Sequence, residues 1–411
     1  MHSRTILYCA AHGGFAAERV PLGGGAAVFE MLTAEWRRTQ EVHVETITPA
    51  ILSSAGDAPL GADLIRYSER EYAGFCRAFE QAATAEILRH DPREVSVLVN
   101  DVSEGPRFRE LHKRGYRLYT IYHVDVVAYI AAIYCRSLIR PSTLAALWRR
   151  LRPLHGIVPD ILKLVFDKQK ASVEHSTGLI VPSPSMKETL LECYPGTPED
   201  TIHVLPWGAP PPKGEPDPVA LRREYQIPSD ALVLLTLSRI SPEKGQDLLL
   251  DALAEWEQQP DFPSRPLWLF ICGGAAYMQG NAHAEKVRTL AARLRKTRVV
   301  FPGHVTGSRK ESFYALADLY VFPSRHESYG LTMLEAMQAG LPVVCLDHAG
   351  ARAVMSPEFG EMVSGPSGLL GGLKTMLGSE SRRTAAANAA RAFAMEHPFS
   401  ESATNLASLL T

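Results

Sequence analysis

The chain carries little that would tie it to a special environment. Only six of its 411 residues are cysteine, and Cys9, Cys76, Cys135, Cys193, Cys272 and Cys345 never fall into CxxC spacing. That excludes a disulfide frame or a thiolate zinc site; Cys272, at the end of the apolar run Leu269-Phe270-Ile271, reads as a buried thiol in a reducing compartment. An excess of either charge is missing too: 43 basic against 45 acidic residues leave a net charge of −2, no global field for nucleic acid. No apolar stretch is long enough to span a bilayer, and Met1-His2-Ser3-Arg4 runs straight into an apolar strand without a signal-peptide core. The expectation is a cytoplasmic protein with no nucleic-acid partner. The dinucleotide fingerprint is absent as well. Gly23-Gly24-Gly25 lies a dozen residues beyond the first strand, and Val28 stands where a small residue is required.

What is present is an ordinary globular composition, 46% apolar and 21% charged, in a chain too long for one hydrophobic core. Short apolar runs alternate with amphipathic stretches. Strands are predicted at 5–10, 42–47, 95–100, 118–123 and 178–182, with helices near 26–38, 107–113 and 186–193. A proline cluster, Pro206 through Pro212, interrupts this series and reads as a linker over about 205–217. A second series follows, with strands near 232–237, 267–272, 299–301, 319–322 and 343–346. The expected fold class is α/β, with parallel sheets covered by helices. The expected domains are 1–204 and 205–394, with the segment from about 395 to 411 a candidate to return to the first. A cleft between two such units, at the carboxyl ends of the strands, is where ligands are expected.

One local bias stands out. Between 136 and 170, Arg136, Arg140, Arg149, Arg150, Arg152, Lys163, Lys168 and Lys170 face only Asp160 and Asp167, with leucines and Trp148 interleaved. Two readings fit: a basic amphipathic helix on anionic lipid, which would place the protein at the inner face of a cell membrane, or a solvated helical insertion.

The segment from Phe322 to Met337 carries the most chemistry. A strand ends near Phe322, a polar loop bears Glu327, and a helix starting about Gly330 carries Glu335. The backbone amides from Tyr329 through Gly330 and Leu331 to Thr332 would offer a positive helix end to a diphosphate. A carboxylate on each side, Glu327 and Glu335, can accept hydrogen bonds from sugar hydroxyls. Taken alone, either glutamate also fits a solvated or capping carboxylate. A second segment, Leu237 to Gly245, puts Arg239 and Lys244 just beyond a strand end, where two cations could neutralise a departing diphosphate.

With Tyr329-Gly330-Leu331 between them, Glu327 and Glu335 resemble the E-x7-E motif of the retaining glycosyltransferases of family 4. The following Ala336-Met337-Gln338-Ala339-Gly340-Leu341-Pro342-Val343-Val344 and the Arg239/Lys244 segment are similar to that family as well. The resemblance implies the GT-B architecture: two facing Rossmann-like domains, a first for the acceptor and a second for the nucleotide-sugar. It implies a retaining hexosyltransferase without an obligatory metal or cofactor, moving sugar from an NDP-sugar, UDP-sugar favoured over GDP-sugar, to a glycan or lipid-linked hydroxyl in polysaccharide or glycoconjugate biosynthesis. Carried over residue by residue, His123, Arg239, Lys244 and Glu327 are the catalytic candidates. Gly23, Gly24, Gly25, Gly273, Val305, Ser328, Tyr329, Gly330, Leu331, Thr332 and Glu335 are the donor-binding candidates. Gly273 and the segment ending at Val305 each also fit a plain turn, and His123 alone fits a structural histidine. Asp125 could orient the His123 ring or meet the acceptor. Two departures are visible: Pro206-Trp207-Gly208 replaces Pro-Asn-Gly, and Ala349-Gly350-Ala351-Arg352-Ala353 replaces Gly-Gly-x-x-Glu. A nucleotide-sugar epimerase and a non-catalytic nucleotide-sugar-binding subunit are the alternative readings.

Overall fold

A computed structural model describes residues 5–15, 23–55, 64, 67–102, 105–133, 138–151, 158–275 and 280–411. Cys135, Arg136 and Arg152 lie outside the described residues. The chain divides into two compact units, Met1–Trp207 with Ser400–Thr411, and Gly208–Phe399.

The first unit is built on β1 (Thr5–Cys9), β2 (Val44–Ile47), β3 (Val95–Val99), β4 (Arg117–Ile121), β5 (Gly178–Val181) and β6 (Ile202–Val204). All pair in parallel, in the order β2-β1-β3-β4-β5-β6. The second unit has β7 (Leu232–Leu237), β8 (Leu267–Cys272), β9 (Thr297–Gly303), β10 (Leu319–Phe322), β11 (Val343–Leu346) and β12 (Gly360–Val363). These are parallel in the order β12-β11-β10-β7-β8-β9. The two α/β units with parallel sheets are the fold class the sequence pointed to.

The second sheet shows why near-continuous apolar runs make parallel strands. Successive side chains point to opposite faces, so a strand covered on both sides must be apolar at every position. Val233, Leu235, Trp268, Phe270, Tyr320, Phe322, Val343 and Cys345 join one core, which includes Phe313, Tyr314, Met333, Leu334 and Met337 from two helices. Their neighbours Leu232, Leu234, Leu267, Leu269, Leu319, Val321, Val344 and Leu346 join the other core, with Leu249, Leu253, Leu369 and Leu373. The order of this sheet reverses between β7 and β10, which were made on successive passes in opposite directions. Such a switch point opens a crevice at the strands' carboxyl ends, because the helices that follow the two strands leave on opposite faces.

Two strands, β6 and β12, were not read from the sequence; at three and four residues, Ile202–Val204 and Gly360–Val363 are too short to show a period. The proline-rich segment is less free than a linker. Leu205 N donates to Val181 O at 2.8 Å, and Trp207 is buried. Ala209 pairs with Pro398: its N donates to His397 O at 2.7 Å, and Phe399 N donates to its carbonyl at 3.0 Å. The helix Phe399–Leu410 then lays Ala403, Leu406, Ala407 and Leu410 into buried positions. Trp36 Nε1 donates to Ala403 O at 3.0 Å, and Ser96 Oγ to Leu410 O at 2.7 Å.

The basic stretch is partly absorbed by the fold. Helices Pro141–Arg150 and Asp160–His175 carry most of it. Lys168 is buried, pairs with Glu80 and donates to Gly105 O at 2.6 Å, while Arg149 Nη1 donates to Cys193 O at 2.6 Å. Among the described residues no helix is long and apolar enough to cross a membrane. Cys9, Cys76, Cys193, Cys272 and Cys345 are buried free thiols.

Candidate functional site

The switch point of the second sheet brings its chemistry-bearing segments together. Past the end of β7, Ser238 and Arg239 lead into the short turn Pro242–Lys244, and past β10 the chain runs Pro323 to Gly330 into the helix Leu331–Gln338. The two segments are clamped. Arg325 N donates to Glu243 O at 2.8 Å; Arg325 Nη1 donates to Pro242 O at 2.6 Å. The same guanidinium grips Asp247 in a forked pair at 2.8 and 2.9 Å. Gly245, between turn and helix, has φ +66°, and a Cβ there would overlap the Pro323 carbonyl oxygen. Only glycine takes that conformation at that approach without strain.

The clamp sets Lys244 against Glu327. The Lys244 ammonium is ion-paired and hydrogen-bonded to Glu327 Oε1, which also accepts from Ser324 Oγ at 3.0 Å. Oε2 has no hydrogen-bond partner among the described residues. Burial alone would raise the Glu327 carboxyl. The charge and hydrogen bond of Lys244, with His348 and Ser324, outweigh it and hold the group below its ordinary value. Two helical turns on, Glu335 Oε1 accepts from Lys310 Nζ at 2.7 Å and its Oε2 from Tyr314 Oη at 2.9 Å. Each glutamate of the pair therefore has its own lysine. Arg239 lies 3.8 Å from Glu243, which also accepts from Ser241 Oγ at 2.6 Å.

Between the two glutamates, Gly330 is the N-cap of the helix and supplies no side-chain cap, so its first amides rely on other partners. Thr332 Oγ1 accepts from Tyr320 Oη at 2.9 Å, and Tyr329 packs partly against the core. Ser328 and Leu331 are partly exposed. Gly273 has φ +143°, and a Cβ there would overlap the Ser238 carbonyl oxygen, so the protein's own backbone already demands glycine. Val305 is a core side chain, which leaves its backbone as the part able to meet a ligand.

The first unit assembles a separate cluster at the ends of β3 and β4. His123, expected as the last residue of its strand, sits two residues past β4, which ends at Ile121. Its Nε2 lies 3.2 Å from Asn100 Oδ1, which also accepts from Tyr8 Oη at 2.6 Å. Asn100 Nδ2 donates to Gly25 O at 3.1 Å, so the amide is oriented and its Oδ1 must be the acceptor. Nε2 therefore carries the ring proton. The ring is partly exposed, yet burial pushes it down to about 4 against the opposing pull of Asp101, so it is neutral near pH 7. Of the glycine triplet, Gly23 caps the helix Gly24–Thr39 with φ +94° and Gly24 is exposed. A Cβ on Gly25 would come within 2.9 Å of His123 Cδ2.

Asp125 does not orient the His123 ring. It is buried, its Oδ1 accepts from Ala128 N at 2.7 Å and its Oδ2 from Gln169 Nε2 at 3.0 Å, and burial pushes it up to about 6. The neighbour of His123 is instead Trp207, whose ring stacks at 6.3 Å between centroids. Sequence reasoning missed Asn100, Trp207, Lys310, Tyr314 and Ser324. The Trp207 departure from the expected Pro-Asn-Gly was the one visible signal. Among the described residues no three His, Cys, Asp or Glu side chains gather as a metal site.

Comparison with known proteins places this geometry. Residues 219–393 match the family of glycosyl transferases group 1. This segment is similar to the group 1 glycosyl transferases. The D-inositol 3-phosphate glycosyltransferase of Kineococcus radiotolerans is 31% identical over 251 residues, 57% of each chain. The mannosylfructose-phosphate synthase of Agrobacterium fabrum is 30% identical over 178 residues, 42% of this chain and 38% of that protein. The match thus spans less than two thirds of these curated relatives. Among solved structures, the sucrose-phosphate synthase of Thermosynechococcus elongatus superposes with a TM-score of 0.72 at 17% identity, over 99% of this chain and 98% of that one. Anabaena HepE in complex with UDP-glucose does so with a TM-score of 0.63 at 15% identity, over 99% and 100%. At these identities the likeness is one of fold, and the fold is GT-B.

Proposed function

We propose that the second unit binds a nucleotide-sugar, UDP-sugar in preference to GDP-sugar. The chain then transfers the hexose, with retention and without a metal or cofactor, to a hydroxyl of a glycan or lipid-linked acceptor. One observation carries the reading: Glu327 and Glu335, each with its own lysine, flank a helix start without a side-chain cap, beside the switch point of the sheet. A diphosphate fits between them because Lys244, Arg239 and the helix amides supply positive charge there. Glu327 Oε2, with no hydrogen-bond partner among the described residues, suits a hydroxyl of the sugar, and Glu335 a hydroxyl of the ribose. The UDP-glucose complex of a structural neighbour supports the choice of base.

In the proposed reaction the bond from the anomeric carbon to the diphosphate oxygen breaks as positive charge builds on the sugar. The acceptor oxygen then bonds that carbon on the same face, and its proton passes to the leaving phosphate oxygen. Arg239 and Lys244 stabilise the negative charge that collects on the diphosphate. Glu327 orients the sugar through its hydroxyls. His123, neutral and held by Asn100, would act from the first unit as a hydrogen-bonding group.

The test has two stages. Thermal shifts with UDP-, GDP-, ADP- and dTDP-glucose should single out one nucleotide-sugar, because a ligand of the folded state raises its melting temperature with affinity. Glu327→Gln should then cost about 100-fold or more in transfer while leaving binding of the free nucleotide within a few-fold. Turnover at the wild-type rate in that variant would end the assignment. A changed sugar formed from the nucleotide-sugar in the absence of any acceptor would favour the epimerase.

A further inference from the structure

His348 follows β11 and caps the short helix Ala349–Arg352, with its Nδ1 accepting from Ala351 N at 3.1 Å. A backbone amide can only donate, so Nδ1 carries the lone pair and the neutral ring has its proton on Nε2. The side chain is 7% exposed, and Nε2 is buried with no partner among the described residues. Burial pushes the ring down to about 4, against the pull of Glu327, so it is neutral near pH 7. A buried N–H donor without an acceptor has lost its hydrogen bond to water with nothing in return. Capping does not explain that loss, because serine or threonine caps a helix with a single hydroxyl and leaves no second polar atom to satisfy.

The surroundings of the ring point to its missing acceptor. It packs on Phe322, 5.8 Å between centroids, at the root of the loop that carries Glu327. Gly350 N donates to Glu327 O at 3.1 Å, and a Cβ on Gly350 would stand 2.6 Å from that oxygen. The charged and titratable groups near enough to act on the ring are Glu327, His326, Lys244 and Asp347. Asp347 is already paired with Arg352. Nε2 has almost no exposed surface, and a neighbouring side chain that changes partners can supply its acceptor. Glu327 is the acid that would do so, since its partner in this structure is the lysine that a diphosphate attracts.

We propose that Glu327 has two alternative hydrogen-bond donors, Lys244 as seen here and the His348 Nε2–H once a bound diphosphate draws Lys244 away. His348 is then a positioning residue that keeps Glu327 charged and aimed at the sugar while the nucleotide-sugar is bound. This rests on the nucleotide-sugar reading of the site. No bond is made or broken in the exchange: one hydrogen bond to the carboxylate replaces another.

The experiment compares the whole chain with two variants. His348→Asn keeps an oxygen near the Nδ1 position for the Ala351 cap and removes the Nε2–H. His348→Gln reaches toward the Nε2 position with an N–H. UDP-glucose is the probe, because its diphosphate has no ionisation near neutrality; if the wild type prefers another nucleotide-sugar of the panel, that one is used. Titration calorimetry at pH 7 in two buffers of different ionisation enthalpy gives affinity and protons taken up. The expected result is about 10-fold weaker binding by His348→Asn. Proton uptake on binding should accompany it, since a buried Glu327 stripped of both donors protonates. The wild type should take up no proton, and His348→Gln should restore most of the affinity. Wild-type affinity in His348→Asn, or weaker binding without proton uptake, would overturn the exchange and leave the nucleotide-sugar site standing. A wild type that binds none of the nucleotide-sugars would overturn both.

Discussion

Removing the Lys244 ammonium would leave the Glu327 carboxylate in a largely enclosed site with Ser324 as its remaining direct donor. Breaking one side of such a pair costs more than the pair is worth, because the other charge stays behind desolvated. Lys244→Met should therefore destabilise the protein by about 3 kcal/mol at pH 7, measured by urea unfolding. Acid gives the sign a second check. In the wild type the depressed Glu327 value contributes stability that is present above the ordinary 4.5 and is lost as pH falls through the folded value. In Lys244→Met burial dominates, the carboxyl rises above 4.5, and protonation relieves the strain. The stability gap between the two proteins should accordingly narrow from pH 7 to pH 4; a gap that widens would mean that Lys244 acts on something other than Glu327. At this scale the sequence was informative where spacing is local. Glu327 and Glu335 share one segment, and Arg239 and Lys244 share another. Lys310 and His348 lie on other elements, Lys310 within the unremarkable Gly307-Ser308-Arg309-Lys310, and only the folded register brings them to the glutamates.

Elements were legible in proportion to their length and burial. β7 and β8, six residues each and buried almost throughout, were placed within the sequence to the residue, whereas β9 extends two residues beyond the expected 299–301 at each end. What the sequence could not display is how turns lock against one another. The turn Pro242–Lys244 is held by Arg325 and Asp247 from two other segments, and by the approach of Gly245 to Pro323. That approach makes Gly245→Ala a sharp test. The new methyl meets the Pro323 carbonyl, and alanine must take a left-handed φ of +66°. A loss of about 3 kcal/mol is expected in urea unfolding, with transfer activity falling as the Lys244–Glu327 pair loses register. Gly274→Ala is the control. Nothing lies within 4 Å of a Cβ there and its φ is not in the left-handed region, so its stability should change by less than about 1 kcal/mol. Equal losses in both variants would show that the Gly245–Pro323 contact has no special part.

At the scale of the molecule, the two βα series could be read from hydrophobic patterning, and the break between them from the proline cluster Pro206 through Pro212. The return of the C-terminal segment was a candidate in the sequence as well, but the contacts that hold it were not legible, because they join residues hundreds of positions apart. The second crossing, at 399–400, hands the last twelve residues to the first unit. There the helix ending at Leu410 closes two polar accounts at once. It accepts the Trp36 indole N–H on Ala403 O and the Ser96 hydroxyl on Leu410 O, and Trp36 and Ser96 are both fully buried. Deleting 400–411 would leave those two donors without acceptors, at roughly 1–3 kcal/mol each, and would uncover the apolar surface now under Ala403, Leu406 and Leu410. None of these contacts involves the Lys244–Glu327 or Lys310–Glu335 pairs. Calorimetric melting of the shortened chain should show a transition lowered by on the order of 10 °C, assigned to the first unit. A second transition, still raised by the nucleotide-sugar that stabilises the intact protein, should remain near its original temperature. A single lowered transition that the ligand no longer moves would instead mean that the site of the second unit depends on the integrity of the first.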